Sequence, residues 1–325
     1  MNPLEIREIA VAFQKSRIVL TAYELDIFTF IDKKSHNSET ISKDLNLDKD
    51  ALERLLNALV ALKLLKKDGK NYSNSKDSLM FLSKNSPAYL AGLMHTNHLW
   101  NTWSHLTNVI KTGKAAHDVE VNERGEEWLE AFINAMHDRG KKQAPAQIAK
   151  IDLQTVDSML DVGGGSGCFC MAFLNRKPEL KTTVFDLPNV IPISKKIIAQ
   201  EGFNGKIEHH VGDYTTDELP KGFDLVFLSA IIHSNSFETN QELVKKCYNS
   251  LNPNGKIVIQ DWIMNDAKTQ PIQGAIFAIN MLVGVEGGNC YSENEVKTWL
   301  SNAGFTDFTK VELESGIGQV IAIKK

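Results

Sequence analysis

The second half of this chain predicts a doubly wound, Rossmann-like α/β sheet, mostly parallel with an antiparallel last strand, and the first half predicts a mostly helical winged-helix unit. Two observations carry the sheet. Five short apolar or β-branched runs, SMLDV, TTVFD, KIEHHV, DLVFLS and KIVIQ, are spaced for parallel strands with crossover helices. The first run leads directly into a turn with Gly163, Gly164, Gly165 and Gly167, where backbone amides can approach a ligand because no Cβ intervenes. The winged-helix reading rests on a helix, turn, helix and hairpin pattern before Pro87.

Taken in order, ETISKDLNLDKDALERLL reads as a short helix, a turn at Asn46 to Asp48 and the start of a longer helix. Residues 51–67 place Leu52, Leu55, Leu56, Leu59, Leu62 and Leu65 at three- and four-residue spacing, which predicts an amphipathic helix. KKDGKNYSNS then carries the Asp-Gly signal of a tight hairpin. Such a unit often binds DNA. Here the second helix carries Asp50 and Glu53 beside only Lys49 and Arg54, a poor surface for phosphate. Dimerisation is the better reading.

Residues 88–150 read as connecting helices. His95, His98, His105, Trp100 and Trp103 fall at helical positions without a carboxylate or thiol cluster, so they are read as packed and no metal is expected. After the five strands, GFTDFTKVEL and GQVIAIKK flank Ser315 to Gly318 and predict an antiparallel hairpin. The resulting division is 1–90, 91–150 and 151–325.

Length and composition fit this division. A chain of 325 residues with 42% hydrophobic content has material for two domains. A net charge of −4 gives no general attraction to nucleic acid or anionic membranes. Glu5, Arg7, Glu8, Lys15 and Arg17 interrupt the first twenty residues, so no signal peptide is expected, and no apolar run reaches a membrane span. Cys168, Cys170, Cys247 and Cys290 match neither a disulfide framework nor a CxxC pair, which suits reduced thiols in the cytoplasm.

The glycine turn admits several ligands, and its flanks discriminate among them. Counting G-x-G-x-x-G from Gly163 puts Cys168 in the last place, and no Lys follows Gly167 as a P-loop requires. Asp161 stands just before the glycines, where it would repel a pyrophosphate but suit an ammonium group, as in S-adenosylmethionine. Asp186 ends the second strand, 25 residues on, and can accept from ribose hydroxyls, with Leu187 next to it. Gly212, Asp213 and Tyr214 end the third strand, where Asp213 can take an adenine amino group and Tyr214 can face the ring.

The order DVGGGSG, VFDLP, GDY, DLVFLSAIIH, SLNPNGKIVIQD and the segment from Gly287-Gly288 to AGF resembles the class I S-adenosylmethionine-dependent O-methyltransferases. The resemblance is to the plant-type and bacterial natural-product enzymes with an N-terminal winged-helix dimerisation domain, and it covers nearly the whole chain. It implies a homodimer, S-adenosylmethionine as cofactor bound by Asp161, Gly163, Gly165, Gly167, Asp186, Leu187, Gly212, Asp213 and Tyr214, and a phenolic small-molecule acceptor of secondary metabolism. It also implies that His233 is the general base, a task suited to imidazole near neutral pH, and that Asp261 orients it. Ser229 falls where relatives have a Lys, Arg or Ser near the cofactor carboxylate. Asn134, Met136, Asn280 and Met281, with Trp100 or Trp103, are the implied acceptor contacts.

Two departures stand out. Ser234 follows His233 where the family usually has Asp, and Asn289, Cys290 and Tyr291 follow the double glycine where many plant members have an acid. One orienting carboxylate therefore remains instead of two. These changes keep open a carbon- or nitrogen-methylating enzyme, or a non-methylating relative of the same fold. A DNA-binding sensor would need a basic recognition helix, and a nicotinamide dehydrogenase is disfavoured by Cys168 and Asp161.

Overall fold

The computed structural model describes residues 1–116, 125–313 and 316–325. The chain divides into two compact units, Met1–Asn101 and Thr102–Lys325.

The first unit begins with α1 (Pro3–Glu24), α2 (Ile27–Ile31) and β1 (Ser35–Asn37). Asn37 caps α3 (Ser38–Asp44) by accepting from Thr40 N, and Asp48 caps α4 (Lys49–Ala61) by accepting from Ala51 N. The wing is β2 (Leu65–Asp68) and β3 (Asn71–Asn74), which pair Asp68 with Asn71 around Gly69, while β1 pairs with the other edge of β3. The α4 helix is shorter than the leucine spacing predicts. It ends at Ala61, Lys63 takes a positive φ of 63°, and Leu65 is handed to β2. Leu65 still enters the same core as Leu52, Leu56 and Leu59, joined by Phe28, Ile31 and Tyr72. The leucine spacing thus marks the buried positions but not the helix end, because a strand starting beside a helix end can present its side chain to the same core. Leu4, Ile6, Ile9, Val11 and Phe13 of α1 are exposed. After α5 (Lys76–Phe81), α6 (Leu93–Ser104) carries the chain across the boundary between units.

The second unit continues with α7 (Leu106–Thr112), α8 (Glu126–Ile148), β4 (Ser158–Val162), α9 (Cys168–Arg176), β5 (Lys181–Asp186), α10 (Ile191–Gln200) and β6 (Ile207–Val211). Then come β7 (Phe223–Ser229), α11 (Phe237–Ser250), β8 (Leu251–Asp261), α12 (Ile272–Gly284), α13 (Glu293–Ala303), β9 (Phe305–Glu312) and β10 (Gly318–Lys324). The sheet order is β6-β5-β4-β7-β8-β10-β9. The strands from β6 to β8 are parallel, and β10 runs antiparallel to both β8 and β9. The hairpin expected at the end of the chain is therefore present, although Ser315 lies outside the described residues.

Both faces of the sheet are covered, which explains the continuous apolar runs. Leu160, Val226, Leu228, Ile257 and Ile259 pack on one face with Leu243 and Val244 of α11 and Trp299 of α13. Met159, Leu225, Phe227 and Val258 pack on the other with Ile148 of α8, Phe173 of α9 and Ile198 of α10. The parallel registers bring Val162, Asp186, Val211, Ser229 and Asp261 to one edge of the sheet. The strand order reverses between β4 and β7, and ligands bind at such a switch point.

Candidate active site

The glycine turn after β4 is bent by positive φ angles of 66° at Gly163, 54° at Gly165 and 72° at Gly167. A Cβ at Gly163 would come within 2.3 Å of Ile231 Cδ1, so a side chain there would have to displace Ile231 while holding a strained positive φ. Asp161 alternates onto the α9 face of the sheet. It is 1% exposed and takes a hydrogen bond from the Cys170 thiol at 3.6 Å. Burial, with so weak a donor, pushes its pKa up to about 7.

Asp186 is bound back into the chain. Its carboxylate accepts from Gly165 N at 2.7 Å and from Leu187 N at 2.8 Å. Burial raises its pKa to about 6 in spite of those two amides. An ionised carboxylate offers about four lone-pair sites, so acceptor capacity is left over. Gly212 N donates to Asp186 O, which sets the end of β6 against the end of β5. One oxygen of Asp213 accepts from both the amide and the hydroxyl of Thr215. Leu187, Gly212 and Asp213 come together with Pro188, Asn189, Val211 and Asp217 around an open cleft of about 600 Å³. None of these lining residues is cationic, and two are acidic. That suits hydroxyl and ammonium groups better than phosphate.

At the end of β7, Ala230 takes a φ of 58° and a 3-10 turn spans Ile232–Ser234. The buried Asn240 amide donates to Ile232 O, and Asn289 N donates to His233 O, so the turn is held at two successive carbonyls. His233 Nδ1 lies 2.9 Å from each oxygen of Asp261 at the end of β8. Asp261 also accepts from Trp262 N at 2.8 Å. A carboxylate is acceptor-only, so Nδ1 carries the proton and the neutral ring keeps its basic lone pair on Nε2. Phe277 of α12 meets the imidazole edge to face, with centroids 4.9 Å apart.

The other expected residues are placed less uniformly. Ser229 ends β7 and accepts from Gln260 Nε2 at 2.9 Å. Tyr214 O–H donates to Asn235 Oδ1 at 3.1 Å, which ties the end of β6 to the turn bearing His233. Asn280 lies one helical turn from Phe277 and accepts from Trp103 Nε1 at 2.9 Å, while Met281 is buried beside it. Met136 is half-buried. Asn134 is exposed, with its amide donating to Glu130 O in its own helix. Trp100 belongs to the first unit, where it packs against Phe13 and under the Arg17 guanidinium.

Several partners were not legible in the sequence. Asn240, Phe277 and Gln260 belong to ordinary helix or strand text and Asn235 to the bend before α11, and only the fold gives them neighbours. The Pro-free stretch FETNQELV predicts a helix but not that its Asn240 reaches back to the turn before it.

Comparison with known proteins bears on what this arrangement does. The O-methyltransferase domain family matches residues 103–306, and the O-methyltransferase dimerisation domain family matches residues 8–84. A 3-hydroxy-5-methyl-1-naphthoate 3-O-methyltransferase of Streptomyces sahachiroi is 29% identical over 98% of this chain and 94% of its own length. The N,N-dimethyltransferase OxyT of Streptomyces rimosus is 25% identical over 98% of this chain and 95% of its own length. Among solved structures, PigF with SAH superposes with a TM-score of 0.92 over the whole of both chains at 20% identity.

Proposed function

From the premise that this chain belongs to the O-methyltransferase family, as an S-adenosylmethionine-dependent enzyme, we propose that it methylates a hydroxyl of an aromatic small molecule with His233 as general base. The observation that carries this reading is His233 Nδ1 at 2.9 Å from both oxygens of a buried Asp261, which leaves Nε2 as the free base. We assign residues 1–90 to dimerisation, 91–150 to connecting helices that contribute acceptor contacts, and 151–325 to cofactor binding and chemistry.

S-adenosylmethionine supplies, when bound, an electrophilic methyl group on a positively charged sulfur. The chain's own residues do the rest. Gly163, Gly165 and Gly167 hold the turn open for close backbone approach, and Asp161, Asp186, Leu187, Gly212, Asp213, Tyr214 and Ser229 surround the cofactor. The acceptor O–H proton passes to His233 Nε2 as its oxygen attacks, and Asp261 steadies the imidazolium that forms. Phe277 and Met281 offer the flat and soft apolar contacts that suit an aromatic acceptor.

The apolar residues exposed on α1 and the match to a dimerisation domain support a homodimer. All four cysteines are free, in keeping with a cytoplasmic enzyme. Among the described residues, no helix is long and apolar enough to cross a membrane.

A second reading, nitrogen methylation, is favoured by the OxyT likeness. One experiment separates the two. Methyl-labelled S-adenosylmethionine is incubated with a panel of phenols and arylamines, using wild type and His233→Ala, with cofactor binding checked for both. Label in an ether with wild type alone supports the first reading. Label only on nitrogen, or equal labelling by both proteins, overturns it.

A further inference from the structure

One face of α8 carries Leu129, Ile133, His137 and Lys141, each four residues from the last, so all lie on one stripe. Leu129 and Ile133 are buried against Val190, which precedes α10, and Ile197 of α10, with Leu187 packed at the margin. Ile133 also lies 3.9 Å from where a Cβ on Gly165 would stand. One turn on, the stripe becomes polar while remaining inside the protein. His137 is 6% exposed, and its Nδ1 lies 3.1 Å from the hydroxyl of Ser166, which is 5% exposed and sits inside the glycine turn. The other ring nitrogen lies 3.4 Å from Glu201 Oε1 just past α10, and Lys141 holds the same carboxylate at 2.6 Å.

The donor pattern follows from these partners. Lys141 holds Glu201 below the usual carboxylate range, so this group only accepts. His137 Nε2 must then be the N–H donor. In the neutral ring Nδ1 becomes an acceptor, and the Ser166 hydroxyl donates to it. The middle of the turn is thus fixed from outside by a chain running Ser166 to His137 to Glu201 to Lys141.

We propose that His137 is a positioning residue for the cofactor: it holds the Gly163–Gly167 turn in its binding shape through Ser166, and Glu201 sets its tautomer. This rests on the reading that the turn holds the cofactor. Asp186 grips the turn at Gly165 from β5 and His137 grips it at Ser166 from α8, so the loop is pinned at successive residues by two separate elements.

The test is calorimetric binding of S-adenosylhomocysteine to the full-length protein. An Asn amide oxygen stands roughly where Nδ1 stands, so His137→Asn keeps an acceptor for Ser166. His137→Gln extends toward Glu201 and loses it. The expected result is about five- to tenfold weaker binding for His137→Gln and Ser166→Ala, near wild-type affinity for His137→Asn, and no further loss in the double variant. Equal weakening by Asn and Gln, unchanged binding by Gln, or additive losses would overturn the proposal. If His137→Gln does not fold, the contrast between Ser166→Ala and His137→Asn decides alone. Gly165→Val is the control for the underlying reading: full affinity in that variant would remove the cofactor from this turn, whatever His137 does.

Discussion

The carboxylate of Asp186 and the amide of Gly165 are 2.7 Å apart, so the last residue of β5 restrains the turn that follows β4. Two roles converge on one side chain, shaping the loop and offering acceptor sites at the sheet edge. Asp186→Asn turns one of its oxygens into an N–H₂ donor facing a backbone N–H, either Gly165 or Leu187. The expected cost is about 1–3 kcal/mol in stability, together with at least about tenfold in S-adenosylmethionine affinity. Thermal unfolding and calorimetric binding check it, and wild-type values in both would refute the double role.

The Asp261 carboxylate bonds the His233 ring and the amide of its own neighbour, Trp262. Asp261→Asn presents either an amide oxygen or an N–H₂ to Nδ1 and weakens control over which nitrogen keeps the proton. Turnover is expected to fall by about 10²-fold or more, with cofactor affinity held within about twofold. A steady-state assay beside a binding titration checks this. Parallel losses in both would assign Asp261 to the scaffold instead.

The raised pKa of Asp161 has a pH signature. Burial lifts it to about 7 in the folded chain, against about 3.9 unfolded. The folded state thus favours the protonated form, and the associated stability is present below the unfolded pKa and lost as pH rises through about 7. Asp186, raised to about 6, acts with the same sign. Without cofactor, wild type should lose ground to Asp161→Asn as pH rises from about 5 to about 8. The affinity of wild type for S-adenosylmethionine should rise over the same window, because the charged carboxylate is the form that pairs with an ammonium. A stability difference that stays flat with pH would sink this account.

The exposed apolar residues of α1 supply a test of assembly. Ile9→Lys with Phe13→Lys places two charges where burial in a dimer would be costly. Sedimentation should shift from dimer to monomer, while thermal unfolding of the second unit stays in place. A dimer that survives both substitutions would move the interface elsewhere.

Period, turn chemistry and strand-end position made most of this fold and much of its site readable from residue order. Parallel strands buried on both faces show as uninterrupted apolar runs, and each ends at the same sheet edge, so Asp161, Asp186, Asp213 and His233 could be placed by counting. The Asp68-Gly69 pair located the wing. The helix spacing of the leucines misjudged only where α4 stops, because Leu65 is buried whether it belongs to helix or strand.

What the sequence by itself determined, then, is the sheet, the turn, the family resemblance and the residue types at the strand ends, all set by local period and short-range spacing. Tertiary structure alone decided who holds whom. Asn235 on Tyr214, Trp103 on Asn280 and His137 on Ser166 are pairs from separate elements that no short stretch announces, whereas Asp261 on His233 was already implied by the resemblance. Their distances depend on how helices pack and strands register, and these follow from the summed burial of the whole core rather than from any short stretch. The bond from the Asn134 amide to Glu130 O within α8 belongs to the same class, since residue order alone does not say how an exposed amide turns.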